Sequence, residues 1–408
     1  MPKNGVWLAI LMLIGPGHSA LAYDLTAQHA PDGFGIGTSG GAGGEVVRVS
    51  TATQLKFELC RTVNREGFCS DNLPRVIEVS GEIDYTGSEG TASKPGCDYG
   101  LACTAPYKTE SLVLLNENDH HCDGKAIKEV TFDVAGDRPL VVGSNKTVLG
   151  IGARSGIKGK GLVLRGVKNV IVRNLTISNI NQGKIFAGDG VTLDDVEHVW
   201  IDHNRFNNIG RQMIVSGFGP AKGVTISWND FDGTNVYSHT CNGTHYWNLL
   251  LAGNIQSITL NNNWFRNFSG RAPKVGGDST LVHLVNNFFQ NGSWHALDAV
   301  KPAKVLVEGN YFDNVKIPIT VTSDPGYIFG QIQPKDELES NQCRTVFGRD
   351  CASNIATPKP SVNGFDANRL VLDVFGSVPK SQVVSPKDPS RIPEIVKEGA
   401  GPGRVPGI

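Results

Sequence analysis

The chain has 408 residues, with 38 Lys and Arg against 39 Asp and Glu and a charged content of only 19%. That balance supplies neither the basic field a nucleic-acid partner needs nor a polybasic arm for a membrane. A glycine count of 49 beside 39% hydrophobic residues excludes a disordered chain and points to a turn-rich all-β protein with a large core.

Residues 1–22 carry Lys3, an apolar run from Val6 to Ile14, and a small-x-small end at Ala20, Leu21 and Ala22. This pattern predicts a secretory signal peptide, too short to span a bilayer, and no later segment reaches the roughly 18 apolar residues a span requires. The eight cysteines then face an oxidising compartment and predict four disulfides, with zinc disfavoured because no CxxC pair exists. Between Gly87 and Asp123 the chain is rich in Gly and Cys and reads as a long stapled loop. Sequons stand at Asn145, Asn174, Asn242, Asn267 and Asn291.

Short strands are expected at Val76–Val79, Thr131–Val134, Thr147–Gly150 and Gly161–Leu164. From residue 170 a repeat sets in. Segments beginning at Val170, Val199, Val224, Ile258, Val282 and Val305 start 29, 25, 34, 24 and 23 residues apart. Positions 1 and 3 are aliphatic in all of them. Position 6 is Asn204, Asn229, Asn263, Asn287 and Asn310, and position 8 is Ile177 followed by Phe206, Phe231, Phe265, Phe289 and Phe312. Such a period means a solenoid, propeller or array. Alternating short strands, a recurrent Asn bend and an inward Phe select a parallel β-helix, an all-β solenoid. Nine or ten coils would make a cylinder roughly 45 Å long. The Asn side chains are expected at tight left-handed bends, bonding along the stack, and the Phe rings are expected to stack inside. Residues 23–408 read as one domain, with the Pro- and Lys-rich tail 379–408 wrapped around the outside.

Several segments carry chemistry. Asp189, Asp194, Asp195 and Asp202 fall in a short window. Asp194 and Asp195 could be the two carboxylates of a glycoside hydrolase, or simple turn residues. Arg211 alone reads as a surface charge. Arg271 and Lys274 flank Pro273 in a stiffened turn, 60 residues beyond Arg211. If that is two whole coils, the cations share one face, which suits an anionic polymer. Tyr246 and Trp247 follow Cys241 in a loop that reads either as core or as a pinned sugar platform.

Together GIKGKGL (156–162), GDGVTLDD (188–195), VWIDH (199–203), IGRQ (209–212), TCNGTHYW (240–247), SGRAPKV (269–275) and the Cys343–Cys351 segment resemble the pectin lyases, within the pectate lyase superfamily. The resemblance covers most of the chain after residue 22. It implies a single-domain right-handed parallel β-helix, β-elimination of α-1,4-galacturonan, endo action, and Arg271 as the base that removes the C5 proton. It further implies Arg211 and Asp189 beside that base, Lys274 on the substrate, and Tyr246 and Trp247 lining the cleft. Phe186 lies near a place where the family often has Trp. The resemblance also implies disulfides Cys97–Cys122, Cys103–Cys241 and Cys343–Cys351, which leaves Cys60 and Cys69 to pair by remainder.

The expected partner is methyl-esterified pectin, acted on by a secreted monomer with no cofactor and no metal. Calcium-dependent relatives carry acidic residues shortly after the WIDH segment, whereas residues 204–211 here have none, and Arg211 stands where the calcium would be. A methyl ester is already neutral. An arginine base is demanding, since its pKa exceeds 12. A second cation about 4 Å away, at an effective dielectric near 20, lowers it by roughly three units, so exclusion of water must contribute. The alternatives are a calcium-dependent pectate lyase, a polygalacturonase-type hydrolase, and a non-catalytic wall-polysaccharide-binding β-helix.

Overall fold

The computed structural model describes residues 31–217, 219–333 and 337–408. The signal peptide expected at 1–22 lies outside these. The described residues form a parallel β-helix. One ladder runs through Glu45, Arg75, Lys146, Val170, Val199, Val224, Ile258, Val282, Val305 and Ile328, ten coils in strict parallel register. Each of the six repeat starts read from the sequence therefore sits directly over the next.

The repeat positions differ from expectation in one respect. The left-handed residue is position 5, not the Asn at position 6: Asn174 (φ 60°), His203 (52°), Trp228 (54°), Asn262 (55°), Asn286 (57°) and Gly309 (63°). A second left-handed site recurs at position 10, at Asn179, Asn208, Asn267, Asn291 and Asn314. Asn leads there because its short amide tolerates that conformation. The position-6 asparagines do something else. Each is buried and bonds in both directions: Asn263 Nδ2 donates to Ile226 O (2.8 Å) and Asn287 Oδ1 (2.9 Å), while its Oδ1 accepts from Asn229 N and Nδ2 (both 3.0 Å). The ladder continues from Asn204 to Asn310 and on to Asn354. It satisfies backbone groups that the corner would otherwise leave buried and unpaired.

Inside, the position-8 rings stack as the repeat predicts, with centroids 5.2 Å apart for Phe206–Phe231, 4.6 Å for Phe231–Phe265, 4.9 Å for Phe265–Phe289 and 4.6 Å for Phe289–Phe312. These residues and the aliphatic positions 1 and 3 make one continuous core. At the lower coils the same inward position holds Arg75 and Lys146, both buried, with Asp71 accepting from Arg75 Nη1 at 2.8 Å. Buried charge persists there because it is paired.

Two elements depart from the sequence reading. Residues 87–123 are not simply a loop: Thr91–Tyr99 and Glu110–Val113 pair antiparallel in a separate four-stranded sheet. A further strand of it, Lys128–Asp133, takes up Thr131–Asp133 of the strand expected at Thr131–Val134 and belongs to this sheet, not to a coil, while Val134 opens a helical turn. Pro95 and Gly96 interrupt the alternation that would have announced it. Cys97–Cys122 staples the sheet, Cys103–Cys241 ties it to the loop ahead of Leu249, and Cys60–Cys69 and Cys343–Cys351 also form. The tail runs along the position-5 column. Lys387 N bonds Asn286 Oδ1 (2.7 Å), Lys387 Nζ bonds Asn262 Oδ1 (2.8 Å), Gly401 N bonds Trp228 O (2.8 Å), and Gly403 N bonds Asn174 Oδ1 (2.7 Å).

Candidate active site

The coils return after position 10 through the segments that hold the charged residues. Ile214 pairs with Leu249, and Leu250 pairs with Lys274, so Arg211 and Arg271 stand two coils apart on one face. Their backbones are thus roughly 10 Å apart. The small sheet and its disulfide-tied loop wall this face.

Arg211 is fixed by Asp189. Its Nε and Nη2 meet the two carboxylate oxygens at 2.9 and 2.8 Å, and Gln212 N adds a third bond to Asp189 Oδ1 (2.9 Å). The pair is largely buried, with side chains 14% and 16% exposed. Such a bidentate pair fixes orientation as well as charge. The Phe186 ring lies 4.9 Å from the Arg211 guanidinium carbon and itself abuts His121. Phe186 holds φ 68°, an uncommon value for a bulky residue.

Arg271 also has a left-handed backbone, φ 46°. Its guanidinium carbon lies 4.6 Å from the Trp247 ring centre and 5.6 Å from that of Tyr246. Its buried Nε has no hydrogen-bond partner. Burial lowers the Arg271 pKa, Tyr246 and Asp298 oppose the change, and the Arg211 charge adds to it. Water exclusion, not the second cation, is the larger cause. Gly270 permits this packing: a Cβ there would meet the Tyr246 ring at 2.4 Å.

Trp247 does not present an open face. It is 7% exposed, and its Nε1 donates to Glu110 Oε2 at 3.2 Å. Its expected place on the cleft lining is corrected to a floor beneath Arg271. Buried His245 shares Nε2 between Arg211 O (2.9 Å) and Trp247 O (3.0 Å), joining the Arg211 coil to this floor. Tyr246 is half-buried beside the exposed Trp294 ring, 5.8 Å away. Lys274 Nζ pairs with Asp298 Oδ2 at 3.0 Å. One coil beyond Arg271, His295 is held near pKa 4 by burial, with Lys274 and Arg271 adding to the drop, so it is neutral above that. Asp298, His295, Glu110 and Trp294 escaped the sequence reading. The stretch NGSWHALDAV reads only as a strand, and the approach of His295 to Arg271 depends on the coil register. Asp194 and Asp195 lie elsewhere: Asp194 pairs with Arg165 (2.8 Å), and Asp195 is an exposed residue with a left-handed backbone inside the strand Val191–Asp202. That removes the carboxylate pair of the hydrolase alternative.

The site, then, is one face of a parallel β-helix on which two arginines stand two coils apart, Arg211 fixed by Asp189 and Arg271 set against the Trp247 and Tyr246 rings. The family model "Pectate lyase" matches residues 103–213 and 214–349. Probable pectin lyase B of Aspergillus niger is 38% identical over 382 residues, 92% of this chain and 93% of that protein. Probable pectin lyase F of Neosartorya fischeri is 42% identical over 303 residues, 72% and 74% of the two chains. Among solved structures, a pectate lyase from Bacillus sp. N165 in complex with trigalacturonate matches 92% of this chain and 100% of its own, with TM-score 0.56 and 20% identity, a likeness of fold. The chain belongs to the pectate lyase family. It is a polysaccharide lyase, similar in sequence to the pectin lyases of that superfamily.

Proposed function

We propose that this protein cleaves methyl-esterified α-1,4-galacturonan by β-elimination without calcium, acting within the chain as a secreted monomer. The observation that carries this reading is the Arg211–Asp189 pair: both carboxylate oxygens are engaged by a guanidinium, so this acidic side chain is committed to a fixed cation. A C5 proton beside a neutral methyl ester is more acidic than one beside a carboxylate, so no ion is needed to cancel a substrate charge.

In this reading Arg271, neutral, accepts the C5 proton. The C5–H electrons form the C4–C5 double bond, the C4–O bond breaks, and the leaving oxygen takes a proton from water. Negative charge developing on the ester carbonyl faces Arg211 and Lys274, both held by carboxylates before substrate arrives; preorganised charge of this kind is the largest catalytic effect in many enzymes. Tyr246 and Phe186 supply apolar surface to the sugar rings. The lowered Arg271 pKa gives the sign of the pH dependence: the neutral fraction grows as pH rises, so kcat/KM climbs on the alkaline side. A rate flat from about pH 5 to 9 would remove Arg271 from the base role.

The test follows ultraviolet absorbance of the unsaturated product on highly methylated pectin and on polygalacturonate, each with and without a chelator. Product from methylated pectin that survives chelation supports the reading. Product from polygalacturonate alone, lost with chelator, returns the calcium-dependent alternative.

A further inference from the structure

Beyond Tyr246 the cleft does not end. A concavity of about 470 Å³ opens between Leu101, His239, Trp294 and Lys316, and Trp294 is 40% exposed, unlike the buried Trp247. It shares Ser293 and Lys316 with a second groove of about 570 Å³, walled by Asn242, Asn291, Asn314 and Lys359. Phe268 pairs with Gly292 and Gly292 with Val315, so the groove climbs the coils immediately past Arg271. The charges change along this path. Lys274 at the centre is paired with Asp298. Lys316 and Lys359 are exposed, and among the described residues neither has a carboxylate within ion-pair distance.

Resting on the lyase reading above, we infer that this groove binds the same polymer on one side of the cleaved bond, and that Lys316 and Lys359 recognise free carboxylates of unesterified galacturonate there. Trp294 offers a face on which a pyranose stacks, Asn242 and Asn314 line the groove wall, and the two lysines supply charge that a fully esterified chain cannot use. The reacting unit must be esterified; units two or more coils away need not be. The preferred substrate is therefore pectin in which esterified stretches abut unesterified blocks.

The test measures kcat/KM on fully methylated pectin, on pectin de-esterified in blocks, and on pectin de-esterified at random to the same extent. The protein is freed of N-glycans, because Asn242 and Asn291 on the groove wall open sequons. In the unmodified sequence the block substrate is expected to exceed the random one. In K316Q/K359Q, the ratio of block to fully methylated pectin falls about three- to tenfold, and the difference shrinks as salt screens the lysines. An unchanged ratio overturns the inference. So does equal affinity of R271A and R271A/K316Q/K359Q for unmethylated oligogalacturonate, measured by calorimetry. Absence of unsaturated product on every substrate would instead overturn the lyase reading itself.

Discussion

The two long sides of this β-helix are built by opposite means. Along the position-5 and position-6 corners, the same side chain does the same job in coil after coil: Asn204, Asn229, Asn263, Asn287 and Asn310 each bond the next, and the tail lies over the adjacent column. Along the cleft the side chain changes from coil to coil: Arg211, Trp247, Arg271 and His295 occupy comparable places in successive coils, and the one type that recurs, arginine, is held by Asp189 in one coil and by the Trp247 and Tyr246 rings in the other. The lesson is a division of labour. Periodic positions carry the register of the coils, and the cleft side is free to change its side chains from coil to coil; left-handed backbone at bulky residues occurs on both sides, at His203 and Trp228 on the ladder corner and at Phe186 and Arg271 on the cleft.

If that division is real, substitutions on the cleft side should change rate with little effect on stability. The largest effect is expected for Arg271→Ala: a fall in kcat of about 10³-fold or more on methylated pectin, within the range for a lost base, with a melting temperature close to that of the parent. A protein that keeps full activity would reassign the base. Arg211→Ala comes next, at about 10²-fold in kcat/KM, in line with removal of one preorganised charge. Its loss also leaves Asp189 unpaired, so Asp189→Asn in the same background should restore stability but not rate, as read by paired melting and kinetic measurements.

The ladder side should respond to acid where buried carboxylates serve it. Glu308 is 1% exposed and receives both Nη atoms of Arg349 at 2.8 Å. Burial alone would raise its pKa. The hydrogen bonds from Arg349, with the His283 ring 3.5 Å away, outweigh that and hold it at about 2. A carboxylate with a depressed folded pKa contributes stability that is fully present above its ordinary range and is lost as pH falls toward the folded value. The folded state should therefore weaken by up to about 3 kcal/mol between pH 4.5 and 2 through this group, and Arg349→Ala should shrink that dependence in pH-resolved chemical denaturation.

Legibility follows the same divide. Repetition makes the Asn and Phe columns readable from one sequence, since each position is stated five times. Asn354 continues the ladder and is still missed, because 44 residues separate it from Asn310, where earlier steps run from 23 to 34. On the cleft side Arg211, Arg271 and Lys274 are legible through motifs. Asp298, Trp294 and Glu110 are not, since their proximity is set by register and by the disulfide-tied sheet. The correction at the bend belongs here too. An Asn at position 6 in the last five repeats suggests a left-handed turn, yet the left-handed residue is its predecessor, because the position-6 amide is committed to its neighbours above and below.

That distinction between two kinds of Asn allows the finest test. Asn263→Ala removes two donors and an acceptor from a fully buried site and strands the Asn229 N–H and the Ile226 carbonyl; a loss of about 2–3 kcal/mol is expected, with kcat unchanged. Asn208 is a position-10 residue whose φ of 54° suits glycine equally well, and its Oδ1 accepts one bond, 3.0 Å from Gln182 Nε2. Asn208→Gly should stay within about 0.5 kcal/mol, because glycine adopts that backbone freely and the lost bond is only part-buried. Equal losses for the two variants, measured by denaturant unfolding, would mean that both columns act through their side chains. A small loss for Asn208→Gly alone assigns backbone conformation to the outer column and side-chain hydrogen bonding to the inner one.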